Sequence, residues 1–395
     1  MLTLNGGSSS IRFAVFDVSG RPLRTLSGKI DRIGAGATTL TVESAGGKPS
    51  ARRRLRARDH AGAAEALLDW IEEQPAAGSI KAVGHRIVHG MRRSRPERVT
   101  ARLLADLERI VPFDPEHLPG EIALVRAVVH RHPNRPQVAC FDTAFHRAMP
   151  AVARRLPIPR RLEARGVERY GFHGLSYAYL MEELRRLDPP AAGGRVVLAH
   201  LGNGASLAAV RGGRSLDTSM GFTPASGLVM STRSGDLDPG LAYYLARSEG
   251  LSPAGFQKLV TREAGLLAVS GTSSDVRDLL AREARDPRAA EALELFCYQA
   301  RKWIGAYAAV LGGLDALVFA GGIGENAPPL RQRICQGLGF LGIELDSKRN
   351  RAGGPLISSR KSSVRVRVIR TDEELMIARS TAQLLGLTRT HRTKP

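Results

Sequence analysis

Residues 2–17 read LTLNGGSSSIRFAVFD, and residues 196–210 read VVLAHLGNGASLAAV. Each is an apolar strand, a polar glycine turn and a second apolar strand, which is a β-hairpin pattern. In the first, residues 2–4 and 11–17 flank the tip Asn5-Gly6-Gly7-Ser8-Ser9-Ser10. In the second, residues 196–201 and 207–210 flank Gly202-Asn203-Gly204-Ala205-Ser206, and a third short strand follows at 214–217. Two copies of one hairpin about 195 residues apart imply two similar α/β halves rather than a short-period repeat.

The segments around them alternate as an α/β layer requires. In the first half, 61–73 has helical periodicity, 82–88 reads as a strand, Leu118–Arg131 as a helix and Gln137–Phe141 as a strand ending at Asp142. In the second half, 175–187 and 289–311 read as helices, Ala316–Ala320 as a strand running into Gly321-Gly322-Ile323-Gly324, and 364–369 as a strand. Glu373–Leu385 reads as a closing helix, followed by a polar, frayed end at 386–395.

A length of 395 residues corresponds to two or three domains. With 43% hydrophobic and 24% charged residues the chain is globular, and with 5% aromatics its core is filled by small aliphatics. Lysine and arginine number 58 against 38 acids, a net charge of +20 that raises the question of nucleic acid. Only eight of the 58 are lysines, and the arginines are spread through every segment rather than gathered with aromatics. We therefore expect a solvated, arginine-biased surface that attracts anionic metabolites, and no nucleic-acid partner. The densest basic run, 52–58, reads as an exposed polar connection. Cys140, Cys297 and Cys335 are too few for a disulfide framework and too far apart for a metal knuckle, which fits a reducing compartment. No leader pattern is present, and the longest apolar stretch, 303–324, contains Asp315 and several glycines. A cytoplasmic protein without membrane insertion is expected.

Three features carry chemistry. The two glycine turns can aim backbone N–H groups at phosphate oxygens, and their duplication implies a polyphosphate clamp. Residues 320–326, AGGIGEN, follow a buried strand and precede a helix, where glycine admits a nucleotide and Asn326 can face it. Polar residues also cluster at strand ends: His85, Arg86 and His89, then Asp142, then His200. His173 lies in RYGFHG, and Arg233 stands in a long polar loop, 220–239, of the kind that holds ligand.

These residues fall in strings that resemble the acetate kinase family. They are LNGGSSSIRFAVFD from residue 4, GHRIVHG from 84, FDTAFH from 141, RYGFHG from 169, HLGNGAS from 200, DTSMGFTPASGLVMSTRSGDLDP from 217, GGIGEN from 321 and TDEELMIAR from 371. The resemblance implies an α/β, duplicated ribonuclease H-like (actin-like ATPase) fold with two lobes around a central cleft, and a cytoplasmic homodimer. The N-terminal lobe would span 1–148 plus 376–395, and the nucleotide-binding lobe 149–375. It implies reversible phosphorylation of acetate to acetyl phosphate by direct in-line transfer, with ATP as co-substrate and Mg²⁺ or Mn²⁺ as cofactor. By the same resemblance Arg86 and Arg233 hold acetate and the equatorial phosphoryl oxygens, His173 stabilises the transition state, and Asp142 orients an arginine or a metal-bound water. Val88, Phe172 and Pro224 line an apolar slot for the substrate methyl. Nucleotide contacts fall on Arg12, His200, Leu201, Gly202, Asn203, Gly204, Asp275, Val276, Arg277, Gly322, Ile323, Gly324, Glu325 and Asn326. Asn5 and Glu373 correspond to the metal contacts, with Glu374 as the adjacent alternative.

Several positions depart from the family pattern. Arg12 replaces a lysine, Met91 and Arg92 replace glycine and glutamate, Leu175 and Tyr177 replace threonine and histidine, and Val276 replaces a frequent phenylalanine. Asp114-Pro115-Glu116-His117-Leu118-Pro119 resembles a segment with Ala and Leu at the positions of Asp114 and Glu116, the Leu belonging to the slot. An ionised Glu116 in that slot would repel a carboxylate, so either its side chain turns elsewhere or the substrate is not simply acetate. The alternatives are the same chemistry on propionate or butyrate, and a non-catalytic nucleotide-binding homologue.

Overall fold

The computed structural model of the chain describes residues 1–7, 9–34, 38–44, 49–74 and 77–387. Ser8 of the first glycine turn and residues 388–395 of the expected frayed end lie outside them. The chain divides into two compact units, Met1–Ala144 with Asp372–Pro395 as unit 1 and Phe145–Thr371 as unit 2.

Unit 1 is built on strands β1 (Leu2–Gly6), β2 (Ser10–Asp17), β3 (Leu23–Asp31), β4 (Thr39–Ser44), β5 (Pro49–Arg54), β6 (Val83–Ile87), β7 (Glu97–Arg98) and β8 (Gln137–Phe141), in the order β5-β4-β3-β2-β1-β6-β8-β7. Unit 2 carries β9 (Arg195–Leu201), β10 (Ala205–Arg211), β11 (Arg214–Thr218), β12 (Ala316–Ala320) and β13 (Arg365–Val368), in the order β11-β10-β9-β12-β13. In unit 1 the first three strands pair antiparallel, and β1, β6 and β8 pair parallel. In unit 2 the first three strands pair antiparallel, and β9, β12 and β13 pair parallel. The five strands β3-β2-β1-β6-β8 match β11-β10-β9-β12-β13 in order and sense, with β4, β5 and β7 added in unit 1, so the chain carries the ribonuclease H-like sheet twice, the duplication implied by the hairpins.

Strand alternation distributes side chains to the two sheet faces. From β1 and β2, Leu2, Leu4, Ile11, Phe13 and Val15 join Ala63, Leu67, Leu68 and Ile71 of the helix His60–Glu72 in one core. Ala14 and Phe16 point the other way and pack with Ala82, Ala378 and Ala382. In unit 2, Tyr177, Leu180, Met181 and Leu184 of the helix Gly174–Leu187 cover Val196, Leu198, Ala316 and Val318. The long helix Pro287–Leu311 packs against β9, β10 and β11.

The connectivity has one consequence for both units. After β8 the chain leaves unit 1, and the next long helix, Gly174–Leu187, covers the sheet of unit 2. After β13 it leaves unit 2, and Glu373–Leu385 covers the sheet of unit 1. Each sheet is thus closed by the helix that follows the other sheet's last strand.

Two expectations change. The basic run is not merely a connection: residues 52–54 form the exposed end of β5, the edge strand, where arginines discourage pairing with another chain. The end of the chain is ordered further than expected, because Gly386 at φ 66° caps the last helix and the Leu387 N–H bonds the Ala382 carbonyl at 2.9 Å. No described helix is long and apolar enough to cross a membrane.

Gly84 of β6 lies directly beneath the closing helix. A Cβ there would stand 2.6 Å from Ile377 Cγ2 and press on Thr381 Oγ1. Gly84→Ala is therefore expected to cost about 1–3 kcal/mol, measured as a lower denaturation midpoint; an unchanged midpoint would contradict this packing.

Candidate active site

In unit 1 the site begins with strand alternation at β6. His85 points into the core, where its Nε2 lies 2.7 Å from Gln137 Oε1 and burial lowers its pKa to about 4. It is a core histidine. Arg86 points the other way. β8 runs parallel beside it with Arg86 opposite Cys140, so Asp142 emerges just beyond the guanidinium. Nε and Nη2 of Arg86 donate to Asp142 Oδ2 at 2.9 and 2.6 Å, and Nη1 donates to the Gly6 carbonyl at 3.0 Å. Burial alone would lower the pKa of Arg86, but Asp142, Glu373 and Glu121 raise it above the ordinary arginine value. Asp142 thus holds the Arg86 guanidinium in place.

Asn5, at the end of β1, donates from Nδ2 to Glu373 Oε2 at 2.9 Å and Glu374 Oε1 at 3.3 Å. Burial raises the Glu374 pKa, the neighbouring Glu373 charge raises it further, and Arg12 opposes both. This concentration of oxygen donors fits a hard divalent cation, which needs only one or two carboxylates when waters and phosphates complete its shell. Among the described residues no cluster of three or more His, Cys, Asp or Glu forms an all-protein cage. Asn5 and Glu373 are thus the residues of unit 1 that could hold such an ion.

A second acid beside Arg86, after Asp142, is Glu121. Glu116 is only half-buried. Glu121 stands in the first turn of the helix Leu118–Arg131, 3% exposed, with Oε2 accepting the Val88 N–H at 2.9 Å and Oε1 4.0 Å from Arg86 Nη1. Burial pushes its carboxyl up to about 8 despite the neighbouring guanidinium.

Unit 2 gathers most of its expected residues around the β9–β10 turn. His173 occupies the N-cap of the helix Gly174–Leu187 at φ 60°, a left-handed conformation that costs a non-glycine residue about 1–3 kcal/mol. Its Nδ1 lies 2.9 Å from Ser206 Oγ, which in turn lies 2.5 Å from the Tyr177 hydroxyl. The ring stacks on His200 at 4.2 Å with a 26° interplanar angle. His200 Nδ1 is 2.8 Å from Ser176 Oγ, and Ser176 is 2.7 Å from Thr371 Oγ1. A Cβ at Gly204 would lie 3.3 Å from both His173 Nε2 and Arg233 Nη1, so imidazole and guanidinium meet over this turn. Arg233 Nη1 also donates to the Pro224 carbonyl at 3.0 Å, and the Ser231 N–H to the Asn203 carbonyl at 3.2 Å. The second bond ties the polar loop 220–239 to the β9–β10 turn, and the first closes the loop on itself.

The glycine segment after β12 joins the same place. Gly321 has φ 76°, and a Cβ there would come within 2.7 Å of the Leu201 carbonyl oxygen, so only glycine fits. A Cβ at Gly202 would lie 3.8 Å from Gly322 N and 3.9 Å from His200 Nε2. Glu325 Oε1 accepts the N–H groups of Gly321 and Thr371 at 2.9 and 3.1 Å.

Other expected residues stand differently. Gly321–Asn326 is itself helical rather than a loop ahead of a helix, and Asn326 folds its Nδ2 back onto the Gly322 carbonyl at 2.9 Å. The amides of Gly7 and Gly202 close their own turns, onto Ser10 O at 2.7 Å and Gly204 O at 3.1 Å. Asp275 caps the separate helix Val276–Arg282 by accepting the Arg277 N–H at 2.9 Å, with Val276 buried and Arg277 exposed. Val88 and Phe172 are buried, and the Phe172 carbonyl accepts from His146 Nε2 at 3.0 Å. The sequence reading missed Glu121, Ser176, Ser206 and Thr371. For Glu121 a signal existed, an acid on the apolar face of a helix.

Comparison with known proteins places this geometry among relatives. A family model described as the Acetokinase family matches residues 1–379. The acetate kinase of Methylocella silvestris is 44% identical over 396 residues, covering 98% of each chain. The crystal structure of Porphyromonas gingivalis acetate kinase superposes with a TM-score of 0.88 at 37% identity, covering 97% of this chain and 99% of that one. A propionate kinase from Francisella tularensis gives a TM-score of 0.90 at 35% identity, covering 97% and 98%.

The buried ion pair makes a stability test. Asp142→Ala would leave the Arg86 guanidinium, 13% exposed, without its principal partner. A loss of about 3–5 kcal/mol is expected in chemical denaturation; a loss below about 1 kcal/mol would mean that the pair does not hold Arg86.

Proposed function

This chain belongs to the acetokinase family, and on that premise we propose that it is an ATP:acetate phosphotransferase, ATP + acetate ⇌ ADP + acetyl phosphate, by direct in-line transfer. One observation carries the reading: the family match spans residues 1–379 and so takes in every strand end at which the functional side chains stand.

A carboxylate nucleophile has a pKa of about 4, so it is ionised at neutral pH and needs no general base. Charge is the obstacle, because this anion must meet an anionic phosphoryl group through a metaphosphate-like transition state. Cations and fixed donors must therefore do the work. In unit 1, Arg86 offers a guanidinium already oriented by Asp142, and its planar fork suits a carboxylate. Val88 stands two residues on as apolar lining for the acyl group. In unit 2, Arg233 and His173 converge over Gly204 and serve the equatorial oxygens of the transferring group. Ser206 fixes the His173 ring through Nδ1, so its opposite nitrogen faces a defined direction. His200, Gly202 and Gly322 form the polyphosphate-facing part of the same turn. Asn5 and Glu373 would hold Mg²⁺, which when bound supplies charge neutralisation of the phosphates.

Two further properties belong to this reading. The helix Gly240–Ser248 has no buried residue, and Tyr243 and Tyr244 are 72% and 63% exposed, an apolar surface that supports a homodimer. Cys140, Cys297 and Cys335 are buried and unbridged, which supports a reducing, cytoplasmic setting.

Purified protein offered MgATP with acetate, propionate, butyrate or formate should yield an acyl phosphate trapped as its hydroxamate, from acetate best; no product from any of the four rejects the activity. Arg86→Ala and Arg233→Ala should each lower kcat at least about a hundredfold, and near-normal turnover in both would remove their roles. Light scattering should report a dimer that Tyr243→Asp with Tyr244→Asp converts to monomer.

A further inference from the structure

Arg86 in unit 1 needs one carboxylate to balance its charge and has it in Asp142. Glu121 brings a second to the same place. Its Cγ would lie 3.4 Å from a Cβ at Gly6, Oε2 is fixed by the Val88 N–H, and Oε1 lies 4.0 Å from Arg86 Nη1. Glu121 thus touches the end of β1, the substrate-binding arginine and the backbone of the slot residue at once. Oε1 is buried and has no hydrogen-bond partner. Such an orphaned polar atom is costly, and a site retains one where a ligand completes it.

We propose that Glu121 is a further substrate-binding residue: as the neutral acid it donates a hydrogen bond from Oε1 to the carboxylate of the acyl acceptor, while Oε2 keeps Val88 in place. The inference rests on the phosphotransferase reading above and names the second group, besides Arg86, that receives the acceptor. An ionised Glu121 would instead place two like charges together when the acceptor arrives. The groups facing it are Arg86 from β6, Asp142 from the turn after β8, and Asp114 from the turn before its own helix. Asp114 is in turn paired with His117 at 2.8 Å and neighbours His89, which burial lowers to about 4. β1 presents Gly6, which does not titrate. Burial outweighs the attraction of Arg86 and holds the Glu121 carboxyl at about 8, so the acid is protonated through neutral pH.

The test is steady-state kinetics of the full chain with MgATP and acetate between about pH 6 and about pH 9.5, for wild type, Glu121→Gln and Glu121→Ala. Wild type should keep a constant KM for acetate up to about pH 8 and then lose affinity by about tenfold per pH unit, with KM for ATP unmoved. Glu121→Gln retains a donor and an acceptor, so its KM should rise only about threefold at pH 7 and show no alkaline limb. Glu121→Ala should raise KM for acetate at least about tenfold with kcat within about threefold. An alkaline limb that persists in Glu121→Gln, or equal losses in kcat and in both KM values for Glu121→Ala, would overturn the assignment. Should Glu121→Ala fail to fold, the Glu121→Gln profile decides alone. A wild type that makes no acyl phosphate refutes the phosphotransferase reading itself, an outcome distinct from a failed Glu121 assignment in an active enzyme.

Discussion

A guanidinium withdrawn from water dictates how unit 1 is arranged. Arg86 would be costly to bury alone, and Asp142 and the Gly6 carbonyl together hold it in a fixed orientation. Glu121, Glu373 and Glu374 bring more negative charge than one arginine can offset, so the excess must be met by protons, by a cation, or by both. Burial favours the protonated form of Glu121, and on the proposed function the pair Asn5–Glu373 would offer oxygen to a metal.

Unit 2 solves its orientation problem with hydroxyls. Ser206 with Tyr177 fixes His173, and Ser176 with Thr371 fixes His200. Tyr177 stands where the family resemblance leads one to expect a histidine, and the substitution keeps a hydrogen-bonding group on Ser206. That departure is conservative in effect though not in chemistry.

Much of this was legible from residues alone, and the reasons differ by element. The paired hairpins announced a duplicated sheet because glycine turns between alternating strands are local signals. Strands β3, β4 and β5 were missed because their one-sided polarity resembles that of connections, and β5 is an arginine-rich edge. Arg86, His173, His200 and Arg233 could be named from their strings, yet only the coordinates show that Ser206 and Ser176 orient the rings. Glu116 drew attention by its neighbours in sequence, whereas the acid that joins Asp142 near the arginine is Glu121, in the first turn of the helix that follows. Burial decides that case, since a carboxyl's protonation follows from what surrounds it rather than from where it falls in a string.

The crossed closing helices bear on how the molecule is made. A chain emerging from the ribosome completes the strands of unit 1 early, but the helix Glu373–Leu385 that seals Ala14, Phe16 and Ala82 is among the last segments released. At about 5–20 residues per second, that apolar face waits roughly 15–60 seconds for its cover. Termination before residue 373 would remove that cover and leave a nearly full-length product open.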